Sequence, residues 1–154
     1  MRAFDLTEEM LEVCQERLGQ YKGRLTVQQG DYRRGSFGTG FDLVLAGLTL
    51  HHLTDIERKE FFKTLYDALN EGGIFLAREI IVDEDSFITN WHYSLWREFM
   101  RSQGEDDVFW YQRHREKEHP VSIENQLSWL KAVGFKHTAC HWRYLNFAII
   151  SGRK

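Results

Sequence analysis

The sequence predicts an α/β fold: a doubly wound, mostly parallel sheet closed by an antiparallel hairpin. Three observations predict it. Phe41 to Leu48 is an apolar run broken by Asp42 alone and bounded by Gly40 and the polar Thr54-Asp55, as in a strand buried on both faces. Through the first half of the chain β-rich runs alternate with runs of helical period, the order of a doubly wound parallel sheet. Near the end, Phe135 to Arg143 and Leu145 to Gly152 are β-rich and close enough in sequence to pair as a hairpin.

Taken in order, Met1 to Asp5 reads as the last residues of a short strand, because Thr7 has the character of a helix N-cap with Glu8 and Glu9 in the first turn. Met10, Leu11, Cys14 and Leu18 give that helix one apolar stripe, and Gly19 or Gly23 ends it. Leu25 to Gln29 is a second strand, followed by Gly30-Asp31-Tyr32 and a polar, glycine-rich loop from Arg33 to Gly40. After the apolar run, Thr54 or Asp55 caps a helix with Ile56, Phe61, Phe62, Leu65 and Leu69 on one face, and Asn70-Glu-Gly-Gly73 stops it. Gly73 to Val82 is a further strand. Asp85 or Ser86 caps a helix carrying Phe87, Trp91, Leu95, Phe99 and Met100, after which Arg101 to His119 is charged, aromatic and poorly periodic. Pro120-Val-Ser122 opens another helix with Leu127, Leu130 and Val133 inward and Gly134 as its stop.

Composition narrows the function. A chain of 154 residues with 42% hydrophobic content is expected to form one domain, residues 1–154, with 83–119 as a helical, aromatic insertion that can act as a lid. Lys+Arg 20 against Asp+Glu 23 gives a net charge of -3, so bulk electrostatics do not predict nucleic-acid binding. Cys14 and Cys140 have no metal-type or redox spacing and read as buried thiols of a reducing compartment. No apolar run has membrane-spanning length and no signal-peptide core is visible, so a cytoplasmic protein is expected.

Five landmarks then fall in order: Phe4-Asp5-Leu-Thr-Glu-Glu-Met10, Gly30-Asp31, Phe41 to Gly47 with Leu50-His-His-Leu53, Leu69-Asn-Glu-Gly-Gly73 and Ala132-Val-Gly-Phe135. The ordered set resembles the class I S-adenosylmethionine-dependent methyltransferases and covers nearly all of the chain. The resemblance implies a Rossmann-like sheet, S-adenosyl-L-methionine as cofactor and a small organic methyl acceptor. One departure stands out. The family's first strand, glycine-rich loop and following helix would precede Met1, so the fold is expected to be incomplete at the N-terminus by a strand-loop-helix of roughly 30 residues. In the family's strand order the absent strand lies between the one ending at Asp5 and the one beginning at Phe41, so both are expected to lack a neighbour on that side. A truncated reading of a longer protein, a partner or swapped copy in a homodimer, or closure of the sheet over the gap would each account for it. Truncation is the expectation adopted here.

The resemblance also implies roles. Asp5 matches the acid that accepts from both ribose hydroxyls, a task for a carboxylate with two acceptor oxygens; an ordinary N-terminal helix charge is the other reading. Leu6 and Met10 would flank the adenine, and Met10 reads equally as core. Asp31 matches the acceptor of the adenine amino group with Tyr32 beside it, against a plain Gly-Asp turn. Gly47 matches the position whose carbonyl meets the methionine end, where a missing side chain permits close approach. His51 and His52 are the candidate bases, because histidine titrates near neutrality. Adjacent residues are not expected to point into one site, and His51 is preferred; the plainer reading is that both cap the strand end or fill the pocket wall. Glu79 is a candidate for binding an acceptor amine or hydroxyl. Asn90, Trp91, His92, Trp96, Trp110, Tyr111 and Arg143 are the lid residues, with Arg143 placed to hold an acceptor carboxylate.

No metal site is expected. His137 and His141 lie in a predicted strand, where four residues span about 13 Å, and His114 and His119 flank charges that read as a solvated face. Two alternatives stay open. Val133-Gly-Phe135 with Leu145-Asn-Phe147 also resembles the carboxy-S-adenosylmethionine synthases, which modify the cofactor and need an arginine in the insertion; neither Arg113 nor Arg115 is assigned to that place, and the His51-His52 pair departs from that family. A non-catalytic subunit that keeps the fold and binds a protein partner is the other.

Overall fold

A computed structural model describes residues 1–34 and 38–154. The chain divides into two compact units, Met1–Gly38 and Thr39–Lys154. The expected loop from Arg33 to Gly40 falls in part on residues 35–37, outside the described residues.

The first unit holds β1 (Arg2–Asp5), α1 (Glu8–Arg17), a 3-10 segment (Gly19–Arg24) and β2 (Thr26–Gln29). β1 and β2 pair in parallel, from Arg2 opposite Thr26 to Asp5 opposite Gln29. Thr7 is the N-cap of α1 but makes no capping bond through its side chain. Asp5 organises the entry instead: its Oδ1 accepts from the Thr7 amide (2.9 Å) and hydroxyl (3.1 Å). A Cβ at Gly30 would sit 2.8 Å from the tip of the Phe4 ring, so a larger residue there requires that ring to move. The expected apolar stripe on α1 is only partly used: Leu11 is buried while Met10 is 57% exposed. Two short strands make too narrow a sheet to cover a whole helix face.

The second unit opens with β3 (Phe41–Gly47), a 3-10 turn (Leu50–His52), α2 (Asp55–Ala68) and β4 (Leu69–Val82). It continues with α3 (Ser86–Ser102), α4 (Asp107–Lys117), β5 (Val121–Ser122), α5 (Ile123–Val133), β6 (Lys136–Tyr144) and β7 (Phe147–Arg153). The sheet order is β3-β4-β7-β6, with β5 paired to the end of β4. β3 and β5 run parallel to β4, while β7 is antiparallel to both β4 and β6, so the expected closing hairpin is present.

Helix α2 starts at a full capping box: Thr54 accepts from the Glu57 amide and Glu57 accepts from the Thr54 amide. Its Phe62 and Leu65 are buried, and Phe62 meets Phe75 of β4 with ring centroids 6.0 Å apart. Phe135 closes the same core against Phe75 and Tyr66. Helix α5 is capped by Ser122, buries Leu130 and stops at Gly134, whose φ is +120°.

Four expectations need correction. Cys14 is only partly buried and Cys140 is exposed, so neither is the buried thiol expected. Ile56 is 71% exposed, and the inward place at the start of α2 goes to Arg58, whose guanidinium meets three backbone carbonyls. β3 is not buried on both faces: Leu43 and Leu45, on one face, are 52% and 65% exposed. Among the described residues β3 pairs with β4 alone and β1 with β2 alone, so neither strand has the second neighbour that burial in the middle of a sheet requires. Finally, Arg101 to His119 contains a helix. Its inward positions Asp107 and His114 are polar, which hides the period from a hydrophobicity reading; Asp107 holds Arg97 (2.7 Å) and Arg101 (2.9 Å).

Candidate active site at the end of the parallel strands

Within the second unit, the chemistry gathers where β3 and β4 end. The chain leaves β3 through Leu48, a residue at φ +54°, and winds into the 3-10 turn that carries both histidines. A bulky residue in the left-handed region costs about 1–3 kcal/mol and persists where its surroundings fix it. Glu79, on the neighbouring strand β4, does the fixing. Its carboxylate is 1% exposed and accepts from the amides of Thr49 (2.6 Å), Leu50 (2.9 Å) and His51 (2.8 Å). The fourth contact is to His51 Nδ1, at 3.0 Å.

The count of donors settles the tautomer. Three amides can only donate, and a carboxylate only accepts, so His51 Nδ1 carries the proton and completes the set. Nε2 is then left as an acceptor. It lies 3.8 Å from Oε2 of Glu118, just beyond α4. Glu118 in turn accepts from His114 Nδ1 (2.5 Å), and His114 Nε2 meets the Tyr93 hydroxyl at 2.8 Å. Arg58 ties this corner together by donating to the carbonyls of Leu50, Leu53 and His119, while the His119 amide donates to the His51 carbonyl. A cavity of about 270 Å³ opens beside it, lined among others by Val82, Tyr93, His114 and Glu118.

Electrostatics follow from burial and these contacts. Burial lowers the His52 pKa, assisted by the neighbouring His51. Glu118 is pushed up by burial but more strongly down by the His114 hydrogen bond and the nearby imidazoles, with a net lowering. Burial pushes the Tyr93 phenol up to about 12.

The predicted residues distribute unevenly. The two histidines come together against expectation: their ring centroids are 4.2 Å apart, because a 3-10 turn does not alternate its side chains as a strand does. His51 is buried and His52 exposed. Gly47 ends β3, its carbonyl accepts from Thr49 Oγ1, and a Cβ there would meet nothing within 4 Å. Glu79 has its carboxylate occupied inside the chain, which gives it a positioning task toward His51. Arg143 pairs with Asp83 at 2.7 Å, and burial followed by the Arg143 charge lowers the pKa of His92. Trp91 is 53% exposed, with its ring 5.6 Å from that of His92.

In the first unit, Asp5 stands at the end of β1, and Leu6 is exposed, its carbonyl accepting from Gln29 Nε2. Asp31 is held by both Nε and NH2 of Arg33, whose hydrogen bonds lower its pKa to about 2. Tyr32 follows it, partly buried. Glu118, His114 and Tyr93 were not anticipated as site residues. The four-residue spacing of His114 and Glu118, which places them on one helical face, was the available signal.

Residues 1–73 match a family model described as a methyltransferase domain. The carboxy-S-adenosyl-L-methionine synthase of Campylobacter fetus subsp. fetus is 28% identical over 151 residues, covering 96% of this chain and 64% of that protein. That of Shewanella sediminis is 28% identical over 151 residues, covering 95% of this chain and 62% of that protein. The chain therefore spans less than two thirds of the length of these relatives. Among solved structures, the S-adenosylmethionine-dependent methyltransferase SibL in its apo form aligns with a TM-score of 0.70 at 16% identity, covering 99% of this chain and 42% of that one. Human N-acetylserotonin methyltransferase in complex with SAM aligns at 0.64 and 18%, covering 99% and 40%. PigF with SAH aligns at 0.66 and 19%, covering 100% and 43%. At such identities the likeness fixes the fold, which is the Rossmann-like fold of these methyltransferases.

Proposed function

We propose that this chain, which has the fold of the class I S-adenosylmethionine-dependent methyltransferases, is the larger part of an enzyme that transfers a methyl group from S-adenosyl-L-methionine to a small organic acceptor. The observation that carries the reading is the His51–Glu79 pair: a buried carboxylate on β4 locks Nδ1 of an imidazole at the end of the parallel strands, so Nε2 is the acceptor. The methyltransferase-domain match over residues 1–73 supports it independently.

The residues present fit the cofactor in part. Asp5, at the end of β1, has the chemistry to accept from the ribose hydroxyls, with Leu6 against the adenine, and Gly47 has open space where a side chain would stand. Asp31 with Tyr32 fits the adenine amino group once Arg33 releases the carboxylate. The glycine-rich loop comes, in this reading, from outside these 154 residues. Bound S-adenosylmethionine supplies a sulfonium whose methyl is already poised to leave. The chain's task is then alignment and proton removal. His51 Nε2 is the group that takes the proton from the acceptor oxygen or nitrogen. Glu79 holds the ring and stabilises the imidazolium. His52 lies close enough to share the role, and Trp91, His92 and Arg143 belong to the acceptor side, with Arg143 available to an acceptor carboxylate when it exchanges Asp83 for it. A cytoplasmic location suits the reading.

The relatives at 28% identity favour a second reading, a carboxy-S-adenosylmethionine synthase-like enzyme that modifies the cofactor. Calorimetric titration of S-adenosylhomocysteine separates these ideas from a non-catalytic subunit. It is run on the 154-residue chain and on one extended upstream along its reading frame. Binding by either form supports the cofactor reading, and binding by neither overturns it. Mass spectrometry of the turned-over cofactor then decides between S-adenosylhomocysteine, from methyl transfer, and a carboxylated cofactor. In the first case His51→Gln should lower the rate by about 10²–10⁴-fold.

A further inference from the structure

His51, His52 and Glu118 each present one ligand-type atom, and these atoms lie within 4.8 Å of one another. We propose that they form a binding site for a divalent transition-metal ion of the zinc class. Two imidazoles and one carboxylate are the donor set of zinc, cobalt and nickel sites; magnesium and calcium prefer oxygen throughout. Three protein ligands leave a fourth position for water.

The outer contacts carry the argument further than the three ligands do. A metal-binding imidazole needs its other nitrogen held by a hydrogen-bond acceptor, which fixes both tautomer and ring plane. Buried Glu79 does this for His51 at 3.0 Å, leaving Nε2 as the nitrogen that faces Glu118. A ligating carboxylate is likewise steadied from outside, and His114 donates to Glu118 at 2.5 Å while itself anchored to Tyr93 at 2.8 Å. Both inner ligands on the buried side are therefore oriented before any ion arrives. Glu79 and Glu118 together can balance the charge of a dication.

The distances require only a modest contraction. Tetrahedral bonds of about 2.0–2.1 Å put ligand atoms a little over 3 Å apart, against 3.8 Å between His51 Nε2 and Glu118 Oε2. The third ligand, His52, is the exposed one and sits at the end of a single 3-10 turn, and all the ligand atoms lie within 4.8 Å of one another. A bound ion takes the same Nε2 lone pair that methyl transfer would use as its base, so the two uses exclude each other in time. The metal site does not rest on the methyl-transfer reading, because its test contains neither cofactor nor acceptor.

The probes are zinc chloride, followed by competition with a chromophoric chelator, and cobalt chloride, followed by visible absorption. The expected result is one ion per chain, with cobalt bands of a four- or five-coordinate site. Affinity should fall at least tenfold in His52→Ala and in Glu118→Gln, and by about 10–100-fold in Glu79→Gln, which touches no ion. Cys140→Ser should change nothing. Zinc should raise the melting temperature of the parent chain and not that of the His52→Ala, Glu118→Gln double variant, whose own circular dichroism and melting curve report whether it is folded. The proposal is overturned if a folded double variant binds zinc within threefold of the parent, or if the folded parent takes up no zinc at micromolar concentration.

Discussion

Replacing Glu79 by alanine should be among the most damaging single changes in the second unit. The side chain is 1% exposed and serves three amides and an imidazole, all from residues 49–51. Each buried amide left without an acceptor costs about 1–3 kcal/mol. Water entering the space vacated by the side chain recovers part of that. A loss of about 4 kcal/mol is therefore expected, on the order of 10 °C in melting temperature for a domain of this size. Glutamine keeps the volume and one acceptor oxygen but turns an NH2 toward His51, whose amide can only donate and whose ring must switch tautomer to accept, so Glu79→Gln should lose about 2 kcal/mol. Urea unfolding followed by tryptophan fluorescence measures both. A loss below about 1 kcal/mol for alanine, or equal losses for the two variants, would refute the donor count on which the tautomer assignment rests.

Three smaller effects follow from other contacts. Thr54→Ala removes half of the capping box and should cost about 1 kcal/mol, read from the urea midpoint. Gly134→Ala places a Cβ 3.1 Å from the Tyr66 ring at a φ of +120°, so about 2 kcal/mol should be lost in calorimetric melting. The Tyr93 phenol is neutral and buried, its pKa raised from 10.0 to about 12. A raised folded-state value means that the contribution is complete below pH 10 and disappears as pH climbs through 12, a change of up to about 2 kcal/mol. Unfolding midpoints across that window should fall more steeply for the parent chain than for Tyr93→Phe.

What the sequence disclosed depended on whether apolar periodicity marked the element. β3, α2, α3, α5 and the closing hairpin were legible because Phe61, Phe62 and Leu65 in α2, and Leu127 and Leu130 in α5, recur at helical spacing, or because β-rich runs sit between glycines. Helix α4 was not, since its buried positions include an aspartate and a histidine whose partners, Arg97, Arg101, Tyr93 and Glu118, come from elsewhere in the fold or from its own end. Burial of β3 was overestimated because an apolar run shows what a strand can bury and carries no information about which neighbours are there to cover it. At the site, His51 and Glu79 were singled out separately. Their pairing depends on β3 lying beside β4, and the turn that brings His52 alongside depends on Leu48 adopting a positive φ.

The order of the strands has a consequence for synthesis. β7 lies between β4 and β6, with Ile80 opposite Phe147 and Ile74 opposite Arg153. On a ribosome β3, α2 and β4 emerge early, yet the side of β4 that β7 will occupy stays open until β7 itself has emerged. At about 5–20 residues per second that interval lasts seconds, long compared with helix formation and long enough for an open strand edge to find a wrong partner. Slow translation between β4 and β7 should therefore depress soluble yield more than slow translation within the first unit does. Chaperone demand should fall on the nascent chain rather than on the folded protein.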